Sequence, residues 1–529
     1  MVFGMISGIR MLSLMRKKCA FEPRRKDSDG IRAAQPGLGA LLGNCRQDQK
    51  GSRIAMKVVF VLPPFDMSRA LGSKRKMQRG FLPSLGVGYV AASVESCGHS
   101  TALIDAQIQN LDSDETVDQV LNADPDIVGI SAMSVYAHSA YAIAGKLKER
   151  NPNLLVVMGG PHTTSFYNDV LHECPAVDIV VPGEGETVFA ELVEQVSRKE
   201  PYHDVKGILF RDSEGNAVMT DQAPVVKDLD SLPHVARHLF DPYPYKPLAN
   251  QVRYEPATTA ITSRGCSWGK CTFCFQGGTF SPAYRRRSPE NVIEELNHLV
   301  RDRGHKEIIF WDDTFAVNPR WIERFCDLLE RERLNIAWSC YAHMRAVKPD
   351  MLKRMAQCGC YNIYYGFESG VQEILDLIRK GTDRQQIRDA VQWTKEAGIQ
   401  IRGSFILGFP TETPEMTKET IDFACSLNAD WMMFFPFHLQ RGTAIEEVAL
   451  THGHIMGEQS SVHFPSYVSS AYESKEQLDE MVKLAYRKYY LRPSFWMLAL
   501  KNMIKHPVTI PRYVEALKFW MDLTKNGTS

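Results

Sequence analysis

Cys266, Cys271 and Cys274 lie within one nine-residue span of the stretch Ser263-Arg-Gly-Cys-Ser-Trp-Gly-Lys-Cys-Thr-Phe-Cys274, and no other feature constrains the chain as tightly. Three thiols so close in sequence belong to one loop and one centre, because thiolates are the ordinary ligands of iron–sulfur clusters and of structural zinc. As cluster ligands they fill three corners of a cubane and leave one iron to a substrate or cofactor. Zinc is the competing reading, with Cys358 and Cys360 as a distant pair, although Cys-Gly-Cys departs from zinc-ribbon spacing. A disulfide framework is disfavoured, since the other cysteines among the 12 are scattered and no secretory signal precedes them.

At these residues the chain resembles the radical S-adenosylmethionine (SAM) enzymes, in which three closely spaced cysteines hold a [4Fe-4S] cluster and SAM chelates the fourth iron. The family pattern is Cys-x3-Cys-x2-Cys; here one extra residue lengthens the first gap, and the aromatic Phe273 before the last cysteine fits. The resemblance implies that Cys266, Cys271 and Cys274 are the cluster ligands. It also implies a low-potential electron donor of flavodoxin or ferredoxin type.

Composition bounds the rest. At 529 residues there is room for two or three domains, and 44% hydrophobic and 23% charged residues with a net charge of zero describe an ordinary soluble protein. The balanced charge offers no basic field for nucleic acid. No apolar run reaches the roughly 18 residues of a membrane span, and free thiols beside a cluster suit the reducing cytoplasm.

Residues 1–55 show no sustained period and are read as a disordered extension or a misassigned start before Met56, with a basic targeting peptide as the alternative. From 56 to 200, short β-branched runs alternate with helical stretches. Val58–Leu62, Ser100–Ile104, Ile127–Ser131, Leu154–Met158 and Ile179–Val181 read as parallel strands, and Ser84–Cys97 and Ala137–Arg150 as helices. That alternation predicts a doubly wound, Rossmann-like sheet, which binds ligands at the carboxyl ends of its strands. The segment resembles the cobalamin-binding domain that precedes many radical SAM domains. The resemblance puts Pro64, Ser131, Gly159, Gly160, His162, Gly183, Glu184 and Gly185 against cobalamin. No Asp-x-His-x-x-Gly occurs, so cobalamin is expected base-off and without a histidine ligand. The proline-rich residues 201–255 read as a linker.

Residues 256–470 repeat strand–helix units that predict a partial (β/α)6 barrel, with its chemistry at the carboxyl ends of the strands. By resemblance, Asp312 or Asp313 meets the SAM amino group, Arg345 its carboxylate, and Glu368 its ribose. The turn from Gly408 to Glu412 lies against the adenine. Residues 471–529 read as helices that cap the barrel, or that lie on a membrane surface through the apolar stretch from Phe495 and the segment Tyr513 to Leu523. The fold class is therefore α/β, with a helical carboxyl-terminal region. The leading functional expectation is a cobalamin-dependent radical SAM methyltransferase acting on an unactivated carbon of a small or lipid-like substrate. The alternatives are a non-methylating radical cyclisation, rearrangement or carbon–carbon bond formation, and a cobalamin-binding regulatory module with a structural cluster.

Overall fold

The strand β1 (Lys57–Leu62) is buried on both faces after its first residue, the pattern of a parallel strand covered by helices above and below. The computed structural model that contains it describes residues 54–65, 79–248, 251–275, 283–456, 467–510 and 513–514. The expectations for the amino-terminal extension and for Tyr513 to Leu523 fall almost wholly outside those residues.

Around β1 the first sheet runs in parallel through β2 (Ser100–Asp105), β3 (Ile127–Ser131), β4 (Leu155–Gly159) and β5 (Ile179–Val181), in the order β2-β1-β3-β4-β5. The crossings are α1 (Leu85–Ser96), α2 (Ser113–Asn122), α3 (Ala137–Arg150), α4 (Pro161–Glu173) and α5 (Gly185–Ser197). Alternate residues of β1 face opposite cores: Val58, Phe60 and Leu62 pack with α1 and α5, and Val59 and Val61 with α2 and α3. The strand order reverses between β1 and β3, so the ligand crevice opens there, at the carboxyl ends. One expectation is corrected. β6 (Leu209–Arg211) and β7 (Ala217–Met219) extend the sheet antiparallel from β5, so the first part of the 201–255 linker belongs to the first domain. Burial of Leu209 and Phe210, with a turn pinned by Asp212 on the N–H groups of Glu214 and Asn216, explains the addition.

The second sheet is all parallel and follows chain order. It comprises β8 (Ala257–Ala260), then, after the two-residue hairpin of β9 (Ser263–Arg264) and β10 (Arg285–Arg286), β11 (Glu307–Phe310), β12 (Ala337–Ala342), β13 (Cys360–Glu368), β14 (Gln400–Leu407) and β15 (Trp431–Pro436). The outer helices are α6 (Pro289–Asn297), α7 (Pro319–Arg331), α8 (Pro349–Gln357), α9 (Arg384–Glu396) and α10 (Pro414–Leu427). Four of the five begin at proline, whose fixed φ and missing N–H suit the first helical turn. Trp338, Tyr365, Phe367, Phe405 and Phe434 point outward into the helix layer and form its core. This is the expected six-stranded partial barrel. Away from the cysteine loop, Cys326 on α7 and Cys358 after α8 form a disulfide, with Cα atoms 5.6 Å apart, because those two helices pack side by side. That pairing also removes Cys358 from any zinc set with the cluster cysteines.

Two further contacts matter to the site. Glu295 on α6 accepts from Arg237 at 2.7 Å and from Arg287 at 2.6 Å, and Arg287 also reaches the Tyr89 hydroxyl on α1 at 3.3 Å. This buried triad joins linker, barrel and first domain. At the carboxyl-terminal end α11 (Lys475–Tyr490) and α12 (Pro493–Lys505) cap the barrel, burying Tyr489, Phe495 and Ala499.

Candidate active site at the mouth of the barrel

The cysteine loop leaves the barrel right after β8, and its start is pinned from beneath. Asp312 is buried at the end of β11, and its carboxylate accepts from the Thr262 N–H at 3.1 Å, the Thr262 hydroxyl at 2.6 Å and the Ser263 hydroxyl at 2.5 Å. Its hydrogen bonds all go to the start of the loop and it is buried, which leaves Asp313, exposed beside it, as the carboxylate open to a ligand. Burial, opposed by Arg286 and these hydrogen bonds, pushes the Asp312 carboxyl up.

Farther along, the loop is clasped by the 378–381 turn. The Thr272 N–H donates to the Ile378 carbonyl at 3.0 Å, and the Trp268 indole N–H to the Arg379 carbonyl at 2.9 Å. The Trp268 ring stacks on His343, centroids 5.8 Å apart, with the Arg345 guanidinium 4.7 Å from its centre. Arg345 donates to the Gly381 carbonyl at 2.7 Å, so its expected place near the cluster is held by the same turn. Phe273 meets Phe409 edge to face at 5.7 Å, which packs the last cysteine's neighbour against the turn after β14.

Cys266, Cys271 and Cys274 are half-buried cysteines outside any disulfide. Burial first, then the neighbouring Glu368, Cys274 and Cys266, push the Cys271 thiol up to about 12, while Lys380 opposes them. As thiolates the three would repel one another, so they lose their protons only to a positively charged partner, and an iron–sulfur core is one. Among the described residues no three cysteine, histidine or acidic side chains are grouped to hold a single metal ion. A loop that spreads three thiols fits a cubane, in which each thiolate takes a different iron.

Glu368 ends β13 in the left-handed region, φ +67°, and accepts from Lys380 at 2.8 Å; both are nearly buried. Gly366 is required there, because a Cβ would come within 2.2 Å of the Glu368 carboxylate. Burial opposes the charge on Lys380, but Glu368 and the Cys271 thiol outweigh it and raise its pKa. Gly408 turns at φ +83°, and Glu412 braces that turn by accepting from the Gly408 and Phe409 N–H groups at 2.8 and 2.9 Å. Glu412 is fully buried, so it shapes the expected adenine shelf without facing it.

The carboxyl ends of the first sheet carry the remaining expected residues. Pro64 follows β1, Ser131 ends β3, and Gly159 and Gly160 lead from β4 into α4. Gly160, φ +100°, lies so close to the Ala132 backbone that a Cβ would sit 2.8 Å from its carbonyl oxygen. Gly183, φ +80°, has open space where its Cβ would be, a gap suited to a bulky planar ligand. The His162 ring nitrogens are both engaged, one with the Tyr141 hydroxyl at 2.8 Å and one with the Ser134 hydroxyl at 3.1 Å. Burial holds the ring neutral, and no nitrogen is left for cobalt. Glu184 and Gly185 open α5, and Glu184 has a second role that sequence reasoning missed. Its carboxylate accepts from Arg285 at 2.5 and 3.0 Å and lies 3.5 Å from Arg264, while Glu186 takes Arg264 at 2.5 Å. Burial pushes the Glu184 carboxyl up, but the Arg285 and Arg264 guanidiniums prevail and hold it low. These pairs bind the crevice of the first sheet to the hairpin that flanks the cysteine loop. Arg264 had a visible signal, its place two residues before Cys266; Trp268, Lys380 and Arg285 had none.

Comparison with known proteins agrees with this geometry. The radical SAM superfamily model matches residues 260–424, and the B12 binding domain model matches residues 78–193. An uncharacterized methyltransferase of Pyrococcus horikoshii is 33% identical over 455 residues, 85% of this chain and 95% of that protein. The anaerobic magnesium-protoporphyrin IX monomethyl ester cyclase of Rubrivivax gelatinosus is 29% identical over 392 residues, 72% of this chain and 68% of that one. Among solved structures, the radical SAM methyltransferase TsrM from Kitasatospora setae shares the fold, with a TM-score of 0.62 and 16% identity over 75% of this chain and 78% of its own. The cofactors are those of the two matched domains: a [4Fe-4S] cluster, SAM and cobalamin. With a crevice for a corrin held against a loop of three closely spaced cysteines, and both domain models and a near full-length relative in agreement, the chain belongs to the cobalamin-binding radical SAM enzyme family.

Proposed function

We propose that this enzyme transfers a methyl group to an unactivated carbon held in the barrel. The observation that carries the reading is the Glu184 and Glu186 latch onto Arg264 and Arg285, through which the carboxyl ends of both sheets border one space. Bound there, the cluster supplies an electron to SAM, and cobalamin supplies a transferable methyl group. Asp312, Thr262 and Ser263 hold the loop in place, Asp313 and Arg345 are the groups for the SAM amino acid moiety, and Glu368, oriented by its ion pair with Lys380, accepts from ribose hydroxyls. Trp268, clamped over the loop, excludes water from it.

The relative from Pyrococcus horikoshii, named a methyltransferase, supports methyl transfer, and the cyclase from Rubrivivax gelatinosus supports a radical cyclisation as the second reading. Incubation of reconstituted protein and a cell extract with methyl-labelled SAM and reductant separates them. Label in a product methyl group is expected; 5′-deoxyadenosine with an unlabelled product favours cyclisation.

The electron donor in this reading is a flavodoxin or ferredoxin, and the setting is the cytoplasm. Among the described residues no helix is long and apolar enough to cross a membrane. On α12, Trp496, Met497, Leu500 and Ile504 are exposed beside Lys501 and Lys505, which supports peripheral contact with an anionic membrane. Co-sedimentation with anionic vesicles that is lost in Trp496→Ser/Ile504→Ser checks this contact.

A further inference from the structure

The inside of the barrel is not packed like the outside. Register puts Ile309, Ser339 and Asn362 in one inward layer, and Tyr341, Tyr364 and Arg402 in the next one up. Above them, Trp311, Ile406, Met433 and Phe435 line the same inner wall, all partly exposed, Trp311 by 42%. The Tyr341 and Tyr364 rings lie 4.9 Å apart. Partly exposed aromatic side chains inside a barrel mean an open apolar lumen beneath the site of chemistry.

The lower part of this lumen is polar and incompletely satisfied. Arg402 is 2% exposed; its Nε donates to the Asn362 side-chain carbonyl at 2.7 Å, and its Nη2 is buried with no hydrogen-bond partner among the described residues. Among the described residues no carboxylate lies within ion-pair distance of it. Glu307 is committed elsewhere, accepting from the Tyr361 hydroxyl at 2.5 Å and from the Arg253 and Tyr254 N–H groups at 2.8 Å. In the layer of Asn362, the fully buried hydroxyls of Ser339 and Thr259 also have no hydrogen-bond partner among the described residues. A buried cation on β14 and two buried hydroxyls on β12 and β8, all on the inward face, are costly to leave unsatisfied unless an anion in the lumen completes them.

We propose that the barrel takes an elongated substrate with an apolar or aromatic body and one acidic end group, and that Arg402, Ser339 and Thr259 seat the acid. This rests on the reading of the barrel mouth as the place of reaction. Five residues separate Arg402 from Leu407 at the end of β14, about 16 Å of strand, or about 13 Å along the axis at a barrel tilt near 36°. The acid and the carbon that reacts are therefore about 13 Å apart, and the pair acts as a ruler.

The test compares 1-pyrenebutyric acid with its methyl ester, the same apolar body with and without the anion, by fluorescence titration of the reconstituted holoprotein. Wild-type protein is expected to bind the acid at least about tenfold more tightly, the scale of a charge-assisted contact in a buried site. Arg402→Gln should bring acid and ester to equal affinity, and Ser339→Ala, which keeps the charge, should lower the preference part way. Trp311→Ala should weaken both probes alike. Equal binding of the two by wild type, no binding of either, or a preference that survives in Arg402→Gln each overturns the assignment. Should Arg402→Gln fail to fold, judged by iron content and melting, Ser339→Ala and the wild-type preference decide the question. Failure of the radical reading shows differently, as absence of 5′-deoxyadenosine while the acid preference remains.

Discussion

Gly381→Ala tests whether the cluster loop depends on the turn that clasps it. Gly381 has φ +69°, and an added Cβ would lie 2.0 Å from Cζ2 and 2.4 Å from Cη2 of Trp268. Nothing at that distance survives, so the indole must leave. A left-handed alanine costs about 1–2 kcal/mol. Expelling Trp268 forfeits its hydrogen bond to Arg379, about 1 kcal/mol, and its stack on His343 with the Arg345 contact, together about 1–2 kcal/mol. The sum is about 3–5 kcal/mol against the loop conformation that presents Cys266 and Cys271, a population drop of about two to four orders of magnitude. Iron and sulfide per chain after anaerobic reconstitution should fall sharply. Gly398→Ala is the control: its φ is +77°, but no atom lies within 4 Å of the added Cβ, so it carries the backbone strain without the clash. The reasoning is refuted if Gly381→Ala loads iron like wild type, or if Gly398→Ala is impaired to the same degree.

Other outcomes follow from the buried charges. Glu295→Gln leaves Arg237 and Arg287 buried without their counter-charge and should destabilise by about 3–5 kcal/mol in denaturant titration. In wild type, burial opposes but the two arginines prevail and hold the Glu295 carboxyl at about 2, so its stabilisation is complete above pH 4.5 and lost as pH falls toward 2. Glu412 has the opposite sign. Burial raises its carboxyl from 4.5 to about 7, so the folded chain holds a proton the unfolded chain has released. Stability from this group is complete below pH 4.5 and falls through pH 7, by at most about 3 kcal/mol, and Glu412→Gln should flatten that part of a melting-versus-pH curve. Arg264→Met should cost more stability and more cobalamin affinity than Arg285→Met. The first leaves the buried Glu186 unpaired, whereas after the second Glu184 keeps Arg264.

The parts legible in the sequence are those with local signals. Periodicity located β1 through β5 within a residue or so, and the strand–helix units of the barrel followed from their length and from prolines at helix starts. The cysteine spacing marked the cluster loop by itself. Gly207–Phe210 reads as a strand-like piece and overlaps β6, but β7 and the pairing of both to the first sheet were missed because so short a run has no period, and α4 and α5 because they open inside glycine motifs that read as turns. Strand-end position brought Asp312, Asp313, Arg345, Glu368 and Glu412 to the site region, but could not tell a ligand-facing group from a brace. Asp312 and Glu412 turn inward onto backbone and hydroxyl donors of neighbouring segments. Glu184 is similar, since its partner Arg285 is 101 residues away and only the docking of two domains brings them together. Among the described residues Arg402 has no carboxylate partner, which is a property of the folded interior that no spacing reveals.

Electron paramagnetic resonance of the reduced cluster, with and without SAM labelled at its carboxylate, addresses the central claim directly. Three protein thiolates and one vacant iron predict a signal that changes on adding SAM and shows coupling to the label. That response should vanish with the cluster itself in Cys271→Ala. A cluster whose spectrum ignores SAM, or one that persists unchanged without Cys271, would contradict the account.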